Sequence, residues 1–467
     1  MLREQCRSPG TFGRAEIDIE QETVRKRESI YAMTREKEKN RVVISGLGLV
    51  TPLGNEVATT WQNLLEGKSG IGQIRKWGDL DEMKNLYNLP SDFPFMAGEI
   101  EDFDIREILK ERKSNCDRTD LKRIKQMDPF IEYACAASLE AVAYSGLALP
   151  LVDEEKVGVI IGSGRGGTQT WEEQHRRMLA GKKLSPFFIP RTLANLASSN
   201  VSILLGAQGM NLCISTACAA GAHAIGQAFR AVQAGYNEIV IAGGSEAGVT
   251  PLSLYGFYSL NAVAPANGAP TKASRPFDNN RRGFVMSEGA GILVLETLKS
   301  AQERNARIYA EVLGYSETAD AYHITEPNGD GARNCMTLAL KDAGISPKEV
   351  NLINCHATST PRGDANEAMA IMSVFGKDNG SPMITANKSQ IGHALGAAGA
   401  VEAVLTVLSV KRDVVPPILN LDDPSEDCLG LHYVKNQAKE SIINIAVSNS
   451  FGFGGTNGCL VFGKFNE

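Results

Sequence analysis

No apolar run in this sequence reaches the roughly 18 residues that a bilayer-crossing helix needs, and nothing near its start reads as the apolar core of a secretory leader. No excess of one charge is present either: 48 basic residues face 54 acidic ones, a net charge of −6. That balance gives no global field for nucleic acid or an anionic membrane, so neither is expected as a partner. The nine cysteines are an odd number, scattered and without a C-x-x-C pair. They read as reduced thiols in a reducing compartment, not as a disulfide framework or zinc site. The histidines include no H-E-x-x-H pair, and no metal is expected.

What is present is a glycine-rich chain of 467 residues with 46 glycines, many at the ends of strand-like segments. Tight strand-to-helix turns follow from that placement. Residues 1–40 are polar and dense in both charge signs, and are expected to be an extension without fixed structure; Met33 offers an alternative start. Order is expected from Arg41, where a buried strand feeds a glycine-rich turn. A helix over 128–144, a loop and the strand Val157–Gly162 follow. Thr337 to Ile345 and then Val350–Asn354 repeat the same sequence of helix, glycine stop, loop and strand about 200 residues later. Two related α/β halves, 41–296 and 297–467, with mixed and mainly parallel sheets covered by helices, are the expected organisation.

Three stretches carry chemistry. Met210–Ile214 reads as a buried strand that delivers Ser215-Thr-Ala-Cys218-Ala-Ala-Gly-Ala-His223 to the start of a helix over about 220–233. A thiol there faces unpaired backbone N–H groups and the positive helix end, which favour its thiolate. Cys355-His356-Ala-Thr358-Ser-Thr360-Pro-Arg362-Gly-Asp364 lies at the end of a second-half strand, and Lys388-Ser-Gln-Ile-Gly-His393 before a Gly/Ala-rich helix. His393, read near that helix start, is expected to stay neutral because the dipole disfavours imidazolium. Asn449-Ser-Phe451-Gly-Phe453-Gly-Gly-Thr-Asn457 is a glycine-rich turn able to bring backbone N–H groups to a reacting oxygen. By contrast, Gly162-Ser-Gly-Arg165-Gly-Gly167 matches a dinucleotide fingerprint, but lies in mid-chain with no acidic residue closing a second strand.

With these motifs in their order, residues 41–465 resemble the elongating β-ketoacyl-acyl-carrier-protein synthases of type II. The resemblance implies a thiolase-like fold, five layers α-β-α-β-α from two duplicated halves, and a homodimer. It implies a decarboxylative condensation with acyl- and malonyl-loaded acyl carrier protein as partner and no dissociable cofactor. Cys218 would carry the acyl group as a thioester. His356 and His393, neutral and donating N–H, would hold the malonyl thioester oxygen as CO₂ leaves. Backbone N–H groups of Cys218 and Phe453 would form the oxyanion hole. Lys388, Glu402 and Asp364 would support the site, and Thr358 and Thr360 would touch the pantetheine arm. Phe453 and Phe451 would gate the acyl pocket.

The sequence departs from the family at several positions. Arg165 replaces an apolar residue at the pocket floor and is expected to need an acidic partner or water, which suits a short acyl chain or one with a polar end. Asn261 stands where an arginine often meets the carrier protein, so Lys122, Arg123 and Lys125 are the expected docking residues. Gln390-Ile391 and Arg362 also differ from the usual choices. Related alternatives are a starter-type synthase, a thiolase and a polyketide ketosynthase; the second histidine disfavours the first. A chain-length-factor subunit would lack Cys218. A bacterial cytoplasm is expected, with the mitochondrial matrix as the alternative.

Overall fold

The protein is described from a computed structural model covering residues 39–466, apart from 114–115, 150, 152, 267 and 378–379. The expected extension therefore lies, over residues 1–38, outside the described residues. The first half contains β1 (Val42–Val50), α1 (Pro129–Ser145), β2 (Val157–Gly162), α2 (Leu196–Leu205), β3 (Asn211–Ile214), α3 (Ala220–Gln233), β4 (Ile239–Glu246) and β5 (Gly289–Thr297). The second contains β6 (Ala310–Ala319), α4 (Asp330–Ala343), β7 (Leu352–Asn354), α5 (Pro361–Phe375), β8 (Met383–Thr385), α6 (Ala398–Arg412), β9 (Ile445–Gly452) and β10 (Thr456–Gly463).

Strands run β8-β7-β9-β10-β6-β1-β5-β4-β2-β3 across one connected sheet, with a short strand His432–Tyr433 beyond β8. Each half has the same internal order: third, second, fourth, fifth, first. The halves join where β1 and β6 pair antiparallel over three residues. Parallel pairs link β3, β2 and β4 in one half and β8, β7 and β9 in the other. Strands nearer the junction pair antiparallel.

All nine residues of β1 and all eight of β4 are buried, as expected for strands covered on both faces. Helices α3 and α6 pack on each other and on strands of both half-sheets, which makes them the middle layer. Their apolar faces share one core with β1 and β10, including Phe229, Val404 and Phe462. Helices α1 and α2 cover the outside of the first half, and α4 and α5 cover the second. Close approach explains Gly48 within β1: a Cβ there would lie 1.8 Å from the carbonyl oxygen of Ala137 on α1. Helix α1 begins with Asp128 accepting from Phe130 N–H and Pro129 in its first turn, and ends on left-handed Gly146. These are favourable cap residues.

One expectation is corrected. The strand before Cys218 is not buried: among the described residues β3 is an edge strand bonded only to β2, and Leu212 is 45% exposed. Its apolar sequence imitates a core strand because a half-covered edge still packs one face.

Candidate active site

Loops at the ends of β3, β7 and β9 converge on a cavity of about 490 Å³. Cys218, Thr358, Thr360, His356, His393, Phe451 and Phe453 all line it. Cys218 sits in a single turn, Ala217–Ala219, immediately before α3. The residue at the helix cap is Ala219, which has no side-chain cap bond; the N–H groups of Ala219 and Ala220 donate to the carbonyls of Thr216 and Ala217 within this turn. Ala217 takes φ +50, Leu395 +47, Ala357 +23 and Ser359 +68, four left-handed side-chain-bearing residues beside the reacting groups. Conformations of this kind persist where surrounding structure holds them, each costing on the order of 1–3 kcal/mol.

Burial pushes the Cys218 thiol up to about 11; the Lys388 ammonium opposes this and the Glu246 carboxylate reinforces it. The expected stabilised thiolate is therefore not found. Backbone N–H groups of Phe453 and of Cys218 itself point at the sulfur and favour its charge, but loss of solvation outweighs them.

The two histidine rings cross at 87° with centroids 5.4 Å apart. Burial holds both well below the usual histidine value, with Lys388 adding to it. His393 does not sit at the start of α6. A short helix, Lys388–Ile391, ends at Gly392, and His393 bonds through its backbone to Val285 and Ser287. The helix begins five residues later, so burial and a neighbouring cation, not the dipole, keep the ring neutral.

Lys388 is only 1% exposed. Its ammonium pairs with Glu402 Oε1 at 2.5 Å and lies 3.4 Å from His356 Nδ1. An ammonium only donates, so that Nδ1 accepts and the proton is assigned to Nε2 of His356. Among the described residues, His393 Nδ1 is buried without a hydrogen-bond partner. A bare lone pair is tolerated better than an orphaned N–H, which assigns the His393 proton to Nε2 as well. Burial pushes Glu402 up to about 7 against the pull of Lys388.

Asp364 acts at one remove: Oδ1 accepts from Ser359 N–H at 3.0 Å and Oδ2 from Phe277 N–H at 2.8 Å. It thereby fixes the loop that carries Thr358 and Thr360, whose hydroxyls are 3.1 Å apart. Sequence reasoning missed Glu367. Its carboxylate accepts from the N–H groups of His356 and Ala357 and from Asn449, and burial makes its carboxyl a weaker acid than an ordinary glutamate. Its spacing of three from Asp364 on α5 places both on one helix face, a signal available in the sequence.

Phe453, 38% exposed, stands at the tip of the β9–β10 turn with its ring 6.4 Å from that of Phe257. Arg165 does not line this cavity. It is exposed, lies over the Phe257 ring at 6.0 Å, and borders a second cavity of about 550 Å³ with Trp171, Met178 and Phe188. No hydrogen bond or ion pair holds its guanidinium among the described residues. The expected acidic partner is instead the buried Glu246, acting at longer range and already accepting from Gly164 and Gly396 N–H.

Lys122, Arg123 and Lys125 are also placed elsewhere. Their segment packs through Ile124 under α1, Arg123 pairs with Asp120, and none borders the cavity. Arg362 does border it and pairs with Glu326. Asn261 lines it too, with φ +53, a left-handed conformation that asparagine tolerates. Gln390 is explained by its amide, which donates to the carbonyls of Leu64 and Lys68. The Gly162–Gly167 glycines serve packing: a Cβ on Gly167 would lie 2.0 Å from Arg191 O. Among the described residues no group of three His, Cys, Asp or Glu side chains is placed to hold a metal ion, and no helix is long and apolar enough to cross a membrane.

Comparison with known proteins matches the N-terminal domain model of the β-ketoacyl synthases over residues 39–301 and the C-terminal domain model over 309–422. A 3-oxoacyl-[acyl-carrier-protein] synthase 2 of Synechocystis is 44% identical over 432 residues, 92% of this chain and 99% of the relative. A protein of the same description from Coxiella burnetii is 44% identical over 91% of this chain and 99% of its own length. A β-ketoacyl synthase from Burkholderia phymatum superimposes with TM-score 0.82 at 30% identity, covering 91% of this chain and all of the other. A type II polyketide ketosynthase, solved with its acyl-carrier protein and bound to a hexaketide, gives TM-score 0.80 at 32% identity over 91% of this chain and all of that one.

Proposed function

The chain belongs to the β-ketoacyl synthase family, and on that membership we propose how its own residues carry out the condensation. It is a β-ketoacyl-acyl-carrier-protein synthase that condenses an acyl thioester with malonyl-carrier protein in fatty acid elongation. Cys218 Sγ attacks the acyl thioester carbonyl, the bond to the pantetheine sulfur breaks, and the thiol proton leaves with that sulfur. The Cys218 and Phe453 N–H groups face the oxygen that gains charge. Malonyl thioester then loses CO₂, and the electron pair moves to its thioester oxygen, met by the Nε2–H groups of His356 and His393. The carbanion attacks the acyl carbon, and the new C–C bond replaces the bond to Sγ.

The observation that carries this reading is two buried, neutral imidazoles sharing one cavity with a cysteine whose sulfur faces two N–H groups. Incubation with radiolabelled acyl-carrier protein tests it. Wild type should become labelled and extend the chain on adding malonyl-carrier protein, and Cys218→Ala should not be labelled. Label that survives the substitution overturns the assignment.

Thr358 and Thr360 would meet the pantetheine arm, and Phe453 with Phe451 would gate the acyl pocket. The carrier protein would dock at the cavity mouth beside Arg362 instead of at Lys122–Lys125. Homodimerisation is supported by the β3 edge, unpaired on one side among the described residues, and by exposed Leu193, Ile203 and Leu212. The two halves would divide near residue 296. Bacterial relatives and reduced cysteines support a bacterial cytoplasm, with the mitochondrial matrix as the alternative. Arg165 favours a second reading within the same chemistry: a polyketide-type enzyme, or one taking a short or polar-ended acyl chain.

A further inference from the structure

His223 lies in the first turn of α3 and is 5% exposed. It does not border the cavity. Its Nδ1 is 2.7 Å from Thr216 Oγ1 and its Nε2 is 3.1 Å from the carbonyl oxygen of Asn457. A carbonyl can only accept, so Nε2 donates to it and Nδ1 accepts from the Thr216 hydroxyl. Thr216 is two residues before Cys218, and Asn457 is four residues after Phe453. A further bond ties the same pair of turns, from Thr456 Oγ1 to Thr216 O at 3.2 Å. The ring also presses on bare backbone, since a Cβ on Gly458 would lie 2.9 Å from His223 Cδ2.

We propose that His223 is a positioning residue that clamps the nucleophile turn to the glycine-rich turn and so sets the spacing of the Cys218 and Phe453 N–H groups around the reacting oxygen. These N–H groups come from chain segments 235 residues apart, in different halves, and the hydrogen bonds that tie the two turns are the imidazole bridge and the bond from Thr456 Oγ1 to Thr216 O. An imidazole with one accepting and one donating nitrogen spans that gap rigidly, and its tautomer is set by the carbonyl at one end. The inference rests on the condensing reading above.

The clamp serves only steps that place charge on the acyl oxygen. Three measurements separate it from a residue that merely fills the core. They are the rate of Cys218 acylation by acyl-carrier protein, CO₂ release from malonyl-carrier protein, and alkylation of Cys218 by iodoacetamide, which forms no oxyanion. In His223→Gln, acylation should fall about 10²-fold, the scale of a 1 Å misplacement. CO₂ release and alkylation should stay within about twofold of wild type. Thr216→Val, which removes one end of the clamp and keeps side-chain shape, should show the same split and covers the case in which His223→Gln does not fold. Equal loss of all three rates in Thr216→Val, or no loss of acylation in either folded variant, overturns the clamp. Wild-type protein that neither takes an acyl group nor releases CO₂ overturns the condensing reading and the clamp with it.

Discussion

Lys388 Nζ stands 3.4 Å from Nδ1 of His356, and this contact decides which ring nitrogen faces the cavity with a proton. The same ammonium neutralises buried Glu402. Lys388→Met should therefore lower malonyl decarboxylation about 10²-fold, within the range for a misset proton donor. It should also destabilise the fold by about 3–5 kcal/mol by leaving a buried carboxylate unpaired. The double variant Lys388→Met/Glu402→Gln should recover stability in a denaturant titration without recovering the rate. Recovery of both would remove the tautomer argument.

Burial and Lys388 hold both imidazoles well below the usual histidine value. A depressed histidine stays neutral as the pH falls through 6.5. Malonyl decarboxylation should therefore be flat from pH 8 to pH 6 and decline only further into acid. A midpoint near 6.5 in the pH–rate profile would contradict the burial argument.

Glu246 raises the Cys218 thiol, and its own carboxyl is pushed up to about 7 by burial. Glu246→Gln should accelerate iodoacetamide alkylation of Cys218 several-fold above pH 7. The difference should fade below pH 6, where the wild-type carboxyl is already neutral. For the wild type, alkylation should climb about tenfold per pH unit from 7 to 10, because the thiol titrates near 11.

Gly452 and Gly454 flank Phe453 but should respond differently to alanine. At Gly454 a Cβ meets nothing within 4 Å, and only its φ of +85 opposes substitution, at about 1 kcal/mol. At Gly452 a Cβ would lie 2.8 Å from Thr216 O and would push the two turns apart. Cys218 acylation should fall about 10²-fold in Gly452→Ala and only a few-fold in Gly454→Ala; the reverse order would contradict the close packing of Gly452 on the nucleophile turn.

Two arginines separate chain selection from docking. Arg165 borders the second cavity with Trp171, Met178 and Phe188, where an acyl chain long enough to reach it would meet a guanidinium without an ion pair among the described residues; Arg165→Ile should then broaden the acyl range across C4 to C16 carrier substrates. An unchanged profile would remove Arg165 from selection. Arg362→Glu should raise KM for the carrier-borne substrate about tenfold with kcat unchanged, by reversing the charge at the mouth where the carrier protein is proposed to dock. An equal effect on KM in Lys122→Glu would restore the site under α1.

The sequence by itself determined the parts that rest on local chemistry and repetition. Apolar runs such as Val42–Val50 and Ile239–Gly244 could only be covered strands. The helix, glycine stop and strand at 128–162 and again at 337–354 revealed a duplication that the identical strand order displays. Small residues around Cys218 and glycines around Phe453 marked turns with room for a reacting group. Tertiary structure alone decided what depends on burial and on distant neighbours. The edge position of β3 follows from which strand has no second partner. The protonated Cys218 thiol follows from desolvation exceeding a helix end, and the neutral His393 from burial and a buried lysine, not from a dipole. His223 and Glu246 became visible only when remote segments met, because a hydrogen bond between residues 234 positions apart, such as His223 with Asn457, leaves no trace in local spacing.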